Sequence, residues 1–228
     1  MEISIITLFP HFFDSIFSYS IIARAVKRGK IKINTVDIRT FGVGPHRQVD
    51  DKPYGGGTGM VLRVDVIDRA IESVRTNKSR ETVILLDPKG QVYDQQNAEK
   101  LSKFEHLILV CGHYEGFDER IRKLVDFEIS IGDFILSGGE IAAGVIVESV
   151  ARLTPGVLIK EDAARNESFS ETPQGRILEH PHYTRPDIYK NEKVPKVLLS
   201  GDFNKIEKYR KEEAARLTIK RRPDLKKS

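Results

Sequence analysis

The sequence predicts an α/β protein built on a parallel β-sheet, followed by a smaller basic helical segment. Short apolar runs typical of buried strands alternate with helical patterns, an order that favours a parallel sheet. Several of these runs end in glycine-bearing loops, where ligands bind in open α/β sheets. The positive charge is concentrated near the C-terminus, because residues 205–228 hold ten Lys and Arg against four Asp and Glu, while the whole 228-residue chain has a net charge of +4.

The composition is typical of a folded, reduced protein. The chain is 39% hydrophobic and 31% charged, which argues against disorder. Its single cysteine, Cys111, lies inside an apolar run, so a buried structural thiol is favoured over a nucleophile and no intrachain disulfide can form. The N-terminal stretch MEISIITLFPHFF lacks the basic region of a signal peptide, and no apolar run approaches a membrane span. We therefore expect a cytoplasmic protein.

The first part of the chain predicts a strand–helix–strand unit. Residues 2–8 are rich in isoleucine and predict a strand. A helix is expected to begin at Pro10, because apolar residues then recur at near-helical spacing, and to end at Gly29. Residues 31–38 predict the second strand.

A long loop is predicted over residues 39–60. Loops of this length inside a compact domain are usually functional. This loop contains Asp50 and the run YGGGTG at residues 54–59. The run is neither a Walker A loop, because no Lys-Ser/Thr follows, nor GxGxxG, because Met60 replaces the last glycine.

The middle of the chain alternates helices with strands. The predicted helices are 64–74, 97–104 and 141–153, with a charged helical segment from Asp118; the predicted strands are 82–86, 107–110 and 127–131. The strands are followed by a turn at 87–90, a loop at 112–116, and glycines at 132, 138 and 139. Such loops predict a small-molecule site at one edge of the sheet.

The C-terminal part changes in character. Residues 160–174 predict an interdomain linker, 181–195 an extended proline-bearing segment, 203–217 a helix and 218–228 a basic tail. His180 and His182 lie two apart with no cysteine or third histidine nearby, so structural roles are favoured and no metal site is predicted. A small-molecule site beside a basic module fits an enzyme acting on nucleic acid. Residue order alone favours an ordinary doubly wound sheet, since knots are almost absent from proteins.

Four segments carry a family resemblance. VCGHYEGFDER, SIGDFILSGGE, VDDKPYGGGTGM and PHYTRP resemble the bacterial tRNA (guanine-N1)-methyltransferases, which are knotted SPOUT methyltransferases. The resemblance covers nearly the whole chain. It implies a SPOUT-type sheet with a deep trefoil knot over residues 1–159 and a small helical tRNA-binding domain over 175–228. It also implies a homodimer with its active site at the subunit interface.

The resemblance implies that S-adenosylmethionine binds in the knot, largely through backbone groups, with Leu86 and Pro88 at the adenine and Glu115 near the methionine end. The implied cofactor-binding residues are Leu86, Pro88, Gly112, Tyr114, Glu115, Gly116, Ser130, Ile131, Gly132, Asp133, Phe134, Ile135, Leu136, Gly138 and Gly139. The implied substrate-binding residues are Asp50, Tyr54, Gly57, Gly59, His182 and Arg185.

The implied reaction is methyl transfer to N1 of the guanine at position 37 of tRNA, just 3′ of the anticodon. The family places an arginine at O6 of the guanine, and Arg152 in VARLTPGVL matches it. Its general base is commonly an aspartate before Ser-Phe, where this chain has Glu167. A glutamate has the same acid–base chemistry with one more methylene. The resemblance also implies dependence on Mg²⁺, although no dedicated site can be named.

Two alternatives stay open. The chain could be a non-catalytic RNA-binding protein with a vestigial pocket, which the presence of Arg152 and Glu167 disfavours. It could also be a SPOUT methyltransferase acting on another RNA position, which PHYTRP and YGGGTGM disfavour. Mass spectrometry of nucleosides from tRNA incubated with the enzyme and cofactor distinguishes them.

Overall fold

The computed structural model describes residues 1–76, 79–159, 167–173 and 175–226. The chain forms two compact units, Met1–Ile159 and Lys160–Ser228. Among the described helices, none combines the length and the apolar character needed to cross a bilayer.

A five-stranded parallel sheet forms the centre of the first unit, which confirms the predicted class. Its order is β2-β1-β6-β5-β7. The strands are β1 (Glu2–Thr7), β2 (Lys32–Asp37), β5 (Glu81–Val92), β6 (His106–Cys111) and β7 (Phe127–Ser130); a separate antiparallel pair joins β3 (Asp50–Asp51) to β4 (Val61–Leu62).

Helices cover both faces of this sheet. They are α1 (Phe13–Ile16), α2 (Ser20–Lys27), α3 (Val64–Val74), α4 (Gln95–Leu101) and α5 (Glu140–Ala151). Since successive strand residues point to opposite faces, a continuous apolar strand fills two cores. On β6, Leu107 and Leu109 pack with α5, whereas Ile108 and Val110 pack with α3.

The predicted N-terminal helix is interrupted, so that prediction was wrong in its continuity. A 3₁₀ turn at Pro10–Phe12 and the single turn of α1 come first, and α2 begins only at Ser20, whose φ is +61°. The hydroxyl of Ser18 donates to the carbonyl of Ser15 and helps to end the first helix. Gly29 follows α2 with φ +66°, as the predicted C-cap requires.

Three other predictions for this unit needed correction. The region 39–60 is not wholly irregular, because Ile38–Phe41 is a 3₁₀ helix and β3 lies within the region. The helical segment after Asp118 is a 3₁₀ helix at Glu119–Lys123, since the Asp118 carboxylate accepts from the Arg120 amide and the segment is only five residues long. The strand predicted to end at Leu86 continues to Val92 beyond an irregularity.

The second unit is built around one long helix, α6 (Phe203–Arg221), with short strand pairs. β8 (Ser170–Thr172) pairs with β9 (Gly175–Ile177), and β10 (Ile188–Tyr189) pairs with β11 (Glu192–Lys193). Residues 160–166 and 174 of the predicted linker lie outside the described residues, whereas 170–172 form a strand. The segment 181–195, predicted as extended, contains the β10–β11 pair.

The predicted basic tail starts too early. α6 continues four residues beyond Leu217, to Arg221. Thr218 is buried, its hydroxyl donates to the carbonyl of Ala214, and it accepts from the amide of Leu178. These bonds attach the last turn of α6 to the chain after β9, a contact that no local pattern reveals.

Candidate active site

A cavity of about 480 Å³ opens at the carboxyl ends of β5, β6 and β7. Ligand sites in open α/β sheets lie at this edge. The residues that line it are Leu86, Asp87, Pro88, Lys89, Gly112, His113, Tyr114, Glu115, Gly116, Phe117, Ile129, Ser130, Ile131, Gly132, Phe134, Ile135, Leu136, Ser137, Gly138, Gly139 and Ala142. They come from three separate stretches of the chain.

The first wall is a bulge within β5. Leu86 and Gln91 both pair with Ile129 of β7, so the four residues between them are extra residues without partners in the β7 register. Within this bulge the Asp87 carboxylate accepts from the amide of Lys89 at 2.8 Å. Asp87 is only 7% exposed, which gives the wall a fixed, partly buried acid.

The second and third walls are glycine loops in direct contact. The amide of Gly139 donates to the carbonyl of Gly112 at 2.8 Å, and His113 forms an isolated bridge with Gly138. A Cβ atom on Gly139 would lie 2.8 Å from Cys111 Cα and 2.8 Å from the Gly112 nitrogen. Since both neighbours are backbone atoms, only glycine permits this approach.

Backbone hydrogen bonds hold the loop after β6 against β4 and the residue before it, which do not belong to the five-stranded sheet. The Glu115 amide donates to the carbonyl of Met60 at 3.0 Å, and the Leu62 amide donates to the carbonyl of Gly116 at 2.9 Å. A Cβ on Gly59, whose φ is +81°, would lie 2.4 Å from Glu115 Cγ. The glycine-rich loop therefore packs directly on the cavity wall.

Behind the glycine loops lies a buried acid, Glu140, at the start of α5. It is 7% exposed and accepts a hydrogen bond from the Thr7 hydroxyl at 2.7 Å. Burial raises the pKa of the neighbouring Cys111 thiol well above its usual value, and the charge of Glu140 adds to this. A thiol held protonated and buried is a poor nucleophile, which agrees with the structural role predicted for Cys111.

One polar atom of the cavity lining is unsatisfied. Nδ1 of His113 is buried and has no hydrogen-bond partner among the described residues. The ring stacks on Tyr114 with the ring centroids 4.9 Å apart, and it forms an edge-to-face contact with Phe9 in which the centroids are 5.2 Å apart. A buried nitrogen without a partner is costly, so a bound ligand that pairs with it would be stabilised.

The structure brings together almost all of the predicted cofactor residues. Only Asp133 does not line the cavity among the fifteen. Sequence reasoning missed seven lining residues: Asp87, Lys89, His113, Phe117, Ile129, Ser137 and Ala142. Their adjacency to predicted loop residues was a usable signal for most of them, whereas Ala142 enters through the packing of α5.

The predicted substrate residues lie elsewhere. Asp50 on β3 pairs with Leu62, and Tyr54 is 99% exposed. Gly57 and Gly59 have φ values of +130° and +81°. None of these four is among the described lining residues. His182 and Arg185 belong to the second unit.

The two predicted catalytic residues belong to different units. Arg152 is the C-cap residue of α5, with its amide bonded to the carbonyl of Glu148. Glu167 is half-buried, and its carbonyl accepts from both the amide and the hydroxyl of Ser170. These bonds form a tight turn that fixes the backbone at Glu167.

Comparison with known proteins gives one consistent family. The model of the family tRNA (Guanine-1)-methyltransferase TrmD matches residues 1–228. A tRNA (guanine-N(1)-)-methyltransferase of Shouchella clausii is 50% identical over 226 residues, covering 99% of this chain and 91% of that protein. Its namesakes from Carboxydothermus hydrogenoformans and Metamycoplasma arthritidis are 51% and 49% identical, each over 99% of this chain and over 87% and 95% of their own lengths.

Proposed function

The chain belongs to the tRNA (guanine-1)-methyltransferase family, and on that premise we propose that it methylates guanine 37 of tRNA with S-adenosylmethionine bound in the cavity described above. The activity, methylation of tRNA at N1 of guanine, follows from the family. The cofactor site, the nucleotide position and the residue roles are the proposal. The contact between the two glycine loops, 2.8 Å from Gly139 N to Gly112 O, is the observation that supports it most directly.

The cavity suits this cofactor in size and chemistry. Small-molecule sites usually measure about 300–1,000 Å³ and are mostly apolar with a few polar groups, and this one measures about 480 Å³. Leu86, Ile129 and Ile131 offer apolar surface for an adenine, and the glycines, which have no side chain, allow a ligand to approach the backbone closely. Glu115 offers a carboxylate for a cationic amino group. S-adenosylmethionine supplies the methyl group when bound.

The chemistry at the guanine explains the proposed roles of the catalytic pair. Neutral guanine holds a proton on N1, so N1 becomes a good nucleophile only after that proton leaves. The carboxylate of Glu167 accepts this proton as general base. The loss of the proton places negative charge on O6, which the guanidinium of Arg152 stabilises by a charge-assisted hydrogen bond.

The second unit is the proposed tRNA-binding domain. A guanine in the anticodon loop must leave its stack to enter a pocket, and basic side chains then hold the RNA by its phosphates. Several cations of α6 are already paired with acids, such as Arg210 with Glu207 and Arg216 with Glu213. Among the described cations of α6, Lys211, Lys220 and Arg221 form no salt bridge with an acid. Lys220 and Arg221 are adjacent at the C-terminal end of the helix, so we take this pair as the candidate phosphate contact.

Salt dependence of tRNA binding tests this assignment. A variant with Lys220→Gln and Arg221→Gln should bind tRNA more weakly and flatten the plot of log affinity against log salt by about 0.7–0.9 per lost phosphate contact. The matched control, Lys27→Gln with Arg28→Gln, removes the same charge from the first unit and should keep the slope. If the slope of log affinity against log salt in the α6 variant equalled that of the control variant, the end of α6 would be a solvated surface that does not contact phosphates.

We also propose a homodimer with its active site at the subunit interface. Phe9, Phe12 and Ile16 are exposed by 39–47%, and Ile141 and Val145 on α5 by 53% and 42%. Ile16 lies on α1, Phe9 and Phe12 lie just before it, and α1 contacts α5. We propose that these exposed side chains belong to one apolar surface of the kind that marks an interface. Val145→Asp should convert a dimer to a monomer in light scattering, and a wild-type protein that runs as a monomer would refute the proposal.

The trefoil knot belongs to the proposal as well. α5 follows β7, an edge strand, yet packs against β1 and β6 near the centre of the sheet. A chain that passes through the preceding loops after β7 would bring α5 back to β1 and β6 in this way. Mg²⁺ dependence is also expected, and loss of activity in EDTA with recovery on added Mg²⁺ would support it.

Single-turnover assays with nucleoside mass spectrometry test the catalytic roles. Glu167→Gln keeps the shape of the side chain but cannot take the proton. The methylation rate should therefore fall by at least about 100-fold, which is the lower end of the usual contribution of a general base. Glu167→Asp should keep measurable activity, and Arg152→Ala should be strongly impaired. Cofactor and tRNA binding, measured separately, should change little. A wild-type rate for Glu167→Gln would remove Glu167 as the base; Glu161 and Asp162, which lie outside the described residues, and Asp50 are then the next candidates.

A further inference from the structure

We propose that Glu179, His180 and His182 form a binding site for a divalent transition-metal ion of the zinc class in the second unit. One donor atom from each of the three residues lies within 4.8 Å of the others. The sequence argued against a metal at the two histidines because no cysteine or third histidine is near. The structure supplies the third donor from the adjacent carboxylate.

The histidine rings are already oriented for a shared ion. Nδ1 of His180 lies 3.2 Å from the carbonyl oxygen of Pro181. A carbonyl only accepts, so Nδ1 holds the proton and Nε2 keeps the lone pair that a metal needs. Metal-binding histidines commonly donate their other ring N–H to a backbone carbonyl in this way. The two rings lie with their centroids 4.6 Å apart.

The remaining pair needs only a small movement to admit an ion. Nε2 of His182 lies 2.9 Å from Oε1 of Glu179. Donor atoms around a tetrahedral ion with bonds of about 2.0–2.1 Å lie about 3.3 Å apart. The His182 side chain is 65% exposed, so a shift of a few tenths of an ångström meets little packing resistance. Glu179 is held in place by its amide, which donates to the Ser168 hydroxyl at 3.1 Å.

The donor set selects the class of ion. Two imidazoles and one carboxylate suit zinc and its neighbours, while Mg²⁺ and Ca²⁺ favour oxygen ligands. Three protein donors leave a fourth position for water or another ligand, as in open zinc sites. Cys111, the softest donor in the chain, is buried in the first unit with a raised pKa and is not expected to compete.

Zinc titration of the untagged full-length chain tests the site, after treatment with EDTA and exchange into chelator-free buffer. Competition with a chromophoric chelator should show one zinc ion bound per chain. Losing a partner outside the metal shell already weakens binding about 10–100-fold, so losing a direct ligand in His182→Ala or Glu179→Gln should weaken it by at least about 100-fold. Cobalt binding should give visible absorption bands in the wild type that are lost in His182→Ala.

The matched control is His11→Ala. His11 forms an exposed pair with Asp14 at 2.9 Å, so it resembles the His182–Glu179 pair without a second histidine. This variant should bind zinc as the wild type does. Unchanged affinity in His182→Ala, or an equal loss in His11→Ala, would overturn the proposal. His182 is exposed, so its variant should fold, and circular dichroism verifies this.

Discussion

The buried acid Glu81 should contribute strongly to the stability of the first unit. Its carboxylate Oε2 accepts from Nδ1 of His106 at 2.7 Å, and from the amide and hydroxyl of Thr76 at 2.8 and 2.7 Å. The other nitrogen of His106, Nε2, lies 2.9 Å from the Ser4 hydroxyl. The network links three neighbouring strands, β1, β6 and β5. His106 is fully buried, and the Glu81 side chain is 7% exposed.

Glu81→Ala removes the acceptor and leaves the Nδ1 proton of His106 buried without a partner. Hydrogen bonds to a charged group contribute about 1.5–3 kcal/mol, and an unpaired buried donor costs about 1–3 kcal/mol. These terms overlap, so we expect the free energy of unfolding to fall by about 3–5 kcal/mol, the range seen when buried pairs are broken. Glu81→Gln keeps an acceptor oxygen and should lose clearly less.

Urea denaturation followed by circular dichroism measures this change, with a constant slope showing that the denatured state is unaltered. Glu105→Ala is the control, because its pair with Arg80 is exposed and should contribute at most about 1 kcal/mol. S-adenosylmethionine affinity should stay unchanged, since Glu81 and His106 lie at the amino ends of their strands, away from the cavity. A loss below about 1 kcal/mol for Glu81→Ala would refute the reasoning.

The same carboxylate predicts an acid limit. Burial by itself raises the pKa of Glu81, but the hydrogen bonds with Thr76 and His106 together outweigh it, so the folded-state pKa is lowered below the ordinary value of a glutamate. A lowered pKa contributes stability that is present above the unfolded value and is lost as pH falls through the folded value. The wild type should therefore lose stability below about pH 4.5 more steeply than Glu81→Gln.

Two further predictions concern Gly139 in the cavity wall and the buried thiol of Cys111. Gly139→Ala places a methyl group 2.8 Å from the backbone of the facing loop and should weaken S-adenosylmethionine binding in calorimetry by at least tenfold, or about 1.4 kcal/mol. The control is Gly29→Ala, which is strained by its positive φ but has open space around it at the opposite edge of the sheet, and this variant should bind normally. Equal losses of affinity in both variants would mean general destabilisation. Cys111 should react with a disulfide reagent at least about tenfold more slowly than a free thiol, because each unit of raised pKa lowers the thiolate fraction about tenfold; one rapid thiol in the native protein would contradict its burial.

Local patterns in the sequence were sufficient for the sheet and for most of the cavity. The runs from residues 82 and 107 are almost entirely apolar, and their alternation with helical patterns predicted a parallel sheet. The predicted turn or glycine-bearing loops follow these strands directly. A loop at a strand end is placed by that strand, so its position in space could be inferred. The resemblance to the tRNA (guanine-N1)-methyltransferases added the expected chemistry, and the comparison confirmed the family and its activity, methylation of tRNA at N1 of guanine. The binding roles of the individual residues stay predictions.

Only the tertiary structure decided which distant residues meet. Gly139 packs against Gly112 because α5 begins beside the end of β6. His106 lies within hydrogen-bonding distance of Glu81 and Ser4 because their three strands are paired in register. The break between α1 and α2, the bulge in β5 and the continuation of α6 past Leu217 depend on similar contacts. Residue type and spacing determine local conformation, hydrophobic faces and charge. Pairings between residues far apart in the chain depend on strand order and packing, which no short window of the sequence contains.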